Sequence, residues 1–248
     1  MRSDPDWLRP ELRGAQALMT TRAGGHSQPP WDRMNLGTAV GDDPQAVAAN
    51  RALLKAALGA VPIFMKQVHG TRVVHLTSAD FGTTPEADAC VTSDPRVACT
   101  VQVADCMPVL FSAPDAVGAA HAGWRGLAGG VLEATVRELC ALTACTPAEI
   151  DCWLGPCIGP RSFEVGPDVL EGFGAPPASA DPERFRPLRA GKWLADLPLL
   201  ARDRLNAAGV HQVKGGEWCT VEDASRFFSF RHNGVTGRMA AAIRLGGG

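Results

Sequence analysis

Gln102–Gly126 reads QVADCMPVLFSAPDAVGAAHAGWRG, and the way this stretch folds back on itself decides the architecture. Val97 to Asp105 and Met107 to Phe111 are rich in β-formers, Ser112 to Asp115 are loop formers, and Val117 to His121 is extended again. The pattern predicts a hairpin. Pro114 is poor at the second central position of a type I turn, so a four-residue loop, Ser112 to Asp115, is expected. A loop symmetric about Ala113 and Pro114 sets Cys106 directly opposite His121. Directly paired Cβ atoms lie roughly 4.5–5.5 Å apart on one face, close enough for a thiolate and an imidazole to hold one metal ion. A slip of one residue would put them on opposite faces. The competing reading is a buried hairpin in which Cys106 and His121 only pack. The stretch alone leaves both open.

After His121 comes Ala-Gly-Trp-Arg-Gly, where Gly123 and Gly126 let the chain turn sharply. Leu127 to Leu142 has the composition and period of a helix. The start of a helix beside Arg125 suits an anion.

The chain has 248 residues, 46% of them apolar, and a net charge of −2. That length permits one large domain or two small ones, with a substantial core. Scattered basic residues argue against a nucleic-acid or membrane-surface protein. No run approaches the roughly 18 apolar residues of a membrane helix. The N-terminus, MRSDPDWLRPELRG, has no apolar signal core, so a cytoplasmic location is expected. The eight cysteines include no C-x-x-C pair, and the six histidines are dispersed at 26, 69, 75, 121, 211 and 232. A metal site must therefore draw on distant segments.

Upstream, Leu18 to Thr21 reads as a short strand running into the glycine-rich turn that carries Arg22. Asp43-Pro44 opens a helix, with Asp as cap and Pro in the first position, and Gly59 closes it. Ile63 to Leu76 looks like two strand pieces broken at His69-Gly70, where Gly70 permits a turn that re-aims His69. Asp88 to Thr92 continues the β-rich half. Downstream, Asp151 opens a strand that ends in a Gly/Pro loop, and Pro167-Asp168 opens a short helix. Gly174 to Gly191 reads as a surface loop within one domain, and Leu197 to Ala208 as a helix. The tail holds a strand, the run Phe227-Phe228-Ser229-Phe230, and a final strand. Phe-Phe-Ser-Phe reads more readily as core than as a stacking platform. Arg231 and Arg238 stand beside glycine-bearing turns as possible anion ligands, although each alone reads more readily as a solvated charge.

In order, the chain shows TTRAGG, NLG, VGDD, NR, QVHG, ADC-x-P, AHAGWRG, LGPCIGP, FEVG, FFSFR and TGR. Together these resemble the laccase-domain family, the YfiH-type purine nucleoside phosphorylases once called multicopper polyphenol oxidases. The resemblance spans nearly the whole chain, and AHAGWRG with an upstream DC-x-P is its specific part. It implies one domain over 1–248 with an α+β fold, a sandwich with helices packed outside two β layers. It also implies a zinc site built from His69, Cys106 and His121. The implied chemistry is phosphorolysis of purine nucleosides (adenosine, inosine, methylthioadenosine) with adenosine deamination alongside. Two imidazoles and one thiolate leave tetrahedral zinc an open position, as a catalytic site requires. Phosphate needs cationic donors, and Arg22, Arg125 and Arg231 lie in the matching motifs. Asp105, beside Cys106, is expected to support rather than ligate. One departure is His232, where relatives often carry a second arginine.

Three other functions compete. A copper-dependent polyphenol oxidase would use the same two histidines and cysteine, but Met107 should face away from Cys106 and six histidines are few. A cysteine hydrolase would use Cys106 as nucleophile and His121 as base, leaving His69 without a task. A binding protein guarding cell-wall peptidoglycan, a role suggested for some relatives, is compatible with the same chain. The expected partners are purine nucleosides and phosphate, with no nucleic acid and no membrane. The sequence sets no oligomeric state.

Overall fold

The computed structural model describes residues 6–246. Residues 1–5 and 247–248 lie outside them, and with these go part of the stretch read as lacking a signal core and both ends of the expected 1–248 domain. The chain runs β1 (Ala15–Met19), α1 (Pro44–Leu58), β2 (Val61–Phe64), β3 (Val73–His75), β4 (Ala89–Thr92), β5 (Val97–Val103), β6 (Met107–Ala113) and β7 (Ala116–Ala122). Then follow α2 (Trp124–Gly129), α3 (Val131–Thr143), β8 (Asp151–Leu154), β9 (Glu164–Val165), α4 (Pro167–Gly172), β10 (Phe185–Arg189) and β11 (Lys192–Ala195). The last elements are α5 (Leu197–Ala207), β12 (Gln212–Gly215), α6 (Phe230–Asn233) and β13 (Met239–Leu245).

Two sheets make the sandwich. One has the order β12-β8-β6-β7-β4-β3 and the other β1-β13-β5-β2. Between them lies an apolar core that includes Leu110, Val117, Ala119, Val101 and Ala241. A second core packs the far face of the six-stranded sheet, through Val109, Phe111 and Ala120, against Leu127, Leu132 and Leu139 of α2 and α3. The four-stranded sheet turns its outer face to Leu54 and Leu58 of α1. Both faces of β6 and β7 are thus covered, and every residue of the two strands is buried. This explains why they are apolar along nearly their whole length, broken by Ser112 and His121. The fold is α+β with helices outside two β layers. A third, small sheet, β10-β11-β9, adds to the expected plan. It places a strand, β10, inside the Gly174–Gly191 segment read as loop. Helix α1 starts as anticipated: the Asp43 side chain accepts from the Gln45 N–H, Pro44 follows, and Gly59 ends the helix at φ 66°. Among the described residues, no helix is long and apolar enough to cross a membrane.

The hairpin departs from the expected register. Ala113 pairs with Ala116, so the loop is the two residues Pro114 and Asp115. Pro114 thereby takes the first central position, which suits its fixed φ, and Asp115 takes the left-handed place at φ 59°. Pro108, not Cys106, stands opposite His121. The slip is two residues, which preserves the face. Strand β5 also stops at Val103 rather than reaching Asp105, because Asp105 bends the chain at φ 91°. The single helix expected over Leu127 to Leu142 begins earlier, at Trp124, and is broken at Gly130, whose φ is 97°.

Candidate metal centre

Three segments converge at the open end of the sandwich. His121 projects from the end of β7, Cys106 from the bend before β6, and His69 from the connection between β2 and β3. Their ligand atoms all lie within 4.8 Å of one another, so the three can hold a metal ion. Cys106 Sγ is 3.7 Å from His69 Nε2, and the two imidazole rings stand edge-on with centroids 4.8 Å apart. Among the described residues, this is the one such group of histidine, cysteine and acidic donors.

The buried carboxylate of Asp88, at the head of β4, organises both histidines. Its Oδ1 lies 2.9 Å from His121 Nδ1, which leaves Nε2 as the ring nitrogen free for a metal. The same carboxylate accepts the backbone N–H groups of Val68 (3.1 Å), His69 (2.9 Å) and Gly70 (2.7 Å). These bonds fix the turn in which His69 itself adopts φ 61°. The aiming of His69 was expected from Gly70; the left-handed residue is His69, held there by Asp88. Gly123 completes the packing. A Cβ at that position would stand 2.7 Å from His69 Cδ2 and 3.1 Å from Cys106 Sγ.

Burial pushes the Cys106 thiol up, but the charge and hydrogen bonding of His121 and His69 outweigh it and bring it down to about 6. Burial also opposes charge on His121, yet the Cys106 thiolate and Asp88 raise it to about 9. Metal-free, the pair rests near neutrality as thiolate beside imidazolium. Burial pushes the Asp88 carboxyl up, and hydrogen bonds from His121, Gly70 and Val68 outweigh that to hold it below the usual carboxylate range.

The cluster opens onto a cavity of about 870 Å³. Arg125 and Arg231 line it, as do Trp124, Phe163, Phe230 and Arg238. Arg125 lies over the Trp124 ring at 4.4 Å. Helix α2 has only six residues, so an anion there would rely on the Arg125 side chain more than on a helix dipole. Asp105, read as a supporting residue, accepts the Thr220 hydroxyl and the Arg231 N–H on its carboxylate, both at 2.6 Å. This ties the bend at Cys106 to the start of α6. Arg22 is not brought to the cavity lining. Its guanidinium donates to the carbonyls of Asp32 (3.2 Å) and Ala224 (2.9 Å) and pairs with the Asp32 carboxylate. Phe227 and Phe228 are fully buried, but Phe230 of the same run is 58% exposed at the cavity. The reading as core holds for Phe227, Phe228 and Ser229 but not for Phe230.

A family model described as multi-copper polyphenol oxidoreductase laccase matches residues 16–246. The chain belongs to that family. Members similar to it include a purine nucleoside phosphorylase of Pseudomonas aeruginosa, 46% identical over 97% of each chain. The purine nucleoside phosphorylase YfiH of Escherichia coli is also 46% identical, again over 97% of each. Among solved structures, a Neisseria meningitidis protein superposes with a TM-score of 0.90 at 44% identity, covering 98% of this chain and 100% of that one. A Bacillus licheniformis hypothetical protein YfiH superposes at 0.91 with 30% identity, over 99% and 98%.

Sequence reading missed Asp88. The available signal was an acid at the head of a wholly buried strand, where an unpaired carboxylate is disfavoured. Arg238 was noted beside its turn but left out of the phosphate set.

Proposed function

We propose that this chain is a zinc-dependent purine nucleoside phosphorylase, one domain over residues 1–248, working in the cytoplasm on adenosine, inosine and methylthioadenosine. Adenosine deamination is its companion activity. The observation that carries this is the His69–Cys106–His121 cluster opening onto a cavity that also presents Arg125 and Arg231. The donor set fits zinc: one sulfur already inclined to the thiolate, two imidazoles, and an accessible side on the cavity. Copper with an axial methionine fits less well. Met107 is fully buried in the core on the helix side of the sheet, whereas Cys106 packs against the core between the sheets.

Zinc held by His69, Cys106 and His121 would supply Lewis acidity for activating water and positive charge beside the substrate. The protein groups do the rest. Asp88 fixes the tautomer and orientation of His121 and the turn of His69. Arg125, braced on Trp124, and Arg231, anchored through its N–H to Asp105, hold phosphate for attack at the anomeric carbon as the base departs. Deamination occurs at the purine ring, several ångströms from that carbon. The nucleoside therefore binds in two orientations, one for each reaction.

The test is metal analysis combined with product analysis of adenosine turnover, with and without phosphate, in wild type and Cys106→Ala. Expected are zinc in the wild type, inosine without phosphate, and free base with ribose 1-phosphate when phosphate is present. Both activities should vanish in the variant. Full zinc occupancy in Cys106→Ala, or copper with phenol oxidation and no base release, would sink this assignment. The Asp88–His121–Cys106 alignment favours one second reading, a cysteine hydrolase with Cys106 as nucleophile and His121 as base. That activity would survive removal of zinc by a chelator, and phosphorolysis would not.

A further inference from the structure

Several motifs within residues 35–51 have no place in the metal cluster, yet they converge on one residue across the fold, Arg238. Asn35, fully buried, accepts the Arg238 N–H at 2.8 Å and the Gly37 N–H at 2.9 Å through its Oδ1. The Leu36 N–H donates to the Arg238 carbonyl at 3.0 Å. A Cβ on Gly37 would stand 2.8 Å from Arg238 Cγ, so the bare glycine is what admits the arginine stem. This segment is held from behind. The Asn35 amide donates to Asp42 at 2.8 Å, the buried Asn50 donates to the Asn35 carbonyl at 2.8 Å, and Arg51 donates to the Leu36 carbonyl. The NLG, VGDD and NR motifs are thus consecutive parts of one mount, and TGR supplies what it carries.

The mounted guanidinium lines the cavity with Cys106 and His121. Among the described residues it has no carboxylate ion-pair partner, in contrast to Arg22 on Asp32. Its Nη1 donates to the Thr236 and Gly237 carbonyls at 3.1 and 3.0 Å, which orients the fork and leaves Nε and Nη2 for a ligand. Burial pushes this guanidinium down by more than the nearby charges of Cys106 and Asp105 raise it. A half-buried arginine on a rigid mount, without a carboxylate, is suited to an oxyanion.

We propose that Arg238 is the principal oxyanion ligand of the cavity, that Asn35 and Gly37 are its positioning residues, and that it takes the place expected of Arg22. Naming that oxyanion as phosphate rests on the phosphorylase function; the anion site itself does not. The experiment measures binding of inorganic phosphate to the zinc-loaded protein by calorimetry, and the half-saturating phosphate concentration in nucleoside cleavage. Arg238→Ala should weaken both by at least about tenfold, the loss expected for one charge-assisted pair of hydrogen bonds. Zinc content should not change. Arg238→Gln, which keeps a polar stem, serves if the alanine variant does not fold. Gly37→Ala should raise the half-saturating phosphate more than it lowers kcat, and Arg22→Ala should leave phosphate binding unchanged. Phosphate affinity in the Arg238 variants within about twofold of wild type, or no phosphate binding by wild type, overturns the proposal. If phosphate binding depends on Arg238 but no nucleoside is cleaved, the anion site stands and the phosphorylase function falls.

Discussion

Replacing Asp88 by Asn changes one atom of the buried carboxylate that joins both histidines. Oδ1 receives His69 N–H and His121 Nδ1–H, and Oδ2 receives the N–H groups of Val68 and Gly70. An amide offers one acceptor oxygen and a nitrogen that only donates. Whichever way it turns, two N–H donors face another donor. At about 1–3 kcal/mol for each buried unsatisfied donor, Asp88→Asn should cost about 2–6 kcal/mol in the metal-free protein. In a chain of this size that lowers the unfolding midpoint by at least roughly 4 °C. If the amide nitrogen faces His121, the imidazole can satisfy it only by moving its proton to Nε2, the nitrogen needed for the metal. Zinc affinity should then fall by about 10–100-fold. Competition against a chromophoric chelator reads the affinity, and thermal unfolding after chelation reads the stability. The folded carboxyl titrates below its unfolded value, so its contribution is present above the usual carboxylate range and is lost as pH falls through the folded value. The variant should lack that acid limb. Zinc affinity within about threefold of wild type, with an unchanged midpoint, would refute the role given to Asp88.

Two further outcomes follow from the same geometry. In metal-free protein, iodoacetamide should alkylate Cys106 at a rate that rises through pH about 6, since the thiolate fraction grows above that value. Zinc should block the reaction, and buried Cys99, Cys152 and Cys157, whose thiols burial holds protonated, should not react; a midpoint near that of a free thiol would remove the thiolate–imidazolium pair. Gly123→Ala meets no backbone objection at φ −65° and ψ 156°, yet its methyl would press on His69 and Cys106. Zinc loading should weaken by at least about tenfold while the unfolding midpoint holds, and wild-type zinc affinity in this variant would show that the site is not packed as described.

Periodicity carried the hairpin strands and the shared face of Cys106 and His121, which depend on local rules, whereas the sandwich was implied by the family resemblance. The hairpin register was read two residues out, and the site survived because parity, not register, decides which face a strand residue uses. What stayed illegible is long-range. Asp88 acts on groups 18 to 33 residues away, and nothing near it in the chain marks those partners. Arg22 and Arg238 present the same local picture, an arginine beside glycines, and opposite fates. Arg22 finds a carboxylate ten residues on, at Asp32. Arg238 meets a backbone mount 203 residues earlier, in which Asn35 supplies an acceptor but no charge. Between Arg22 and Arg238, the difference lies in the counter-ion and not in the flanking residues. That difference is set by the folded chain, across 10 residues for one arginine and 203 for the other.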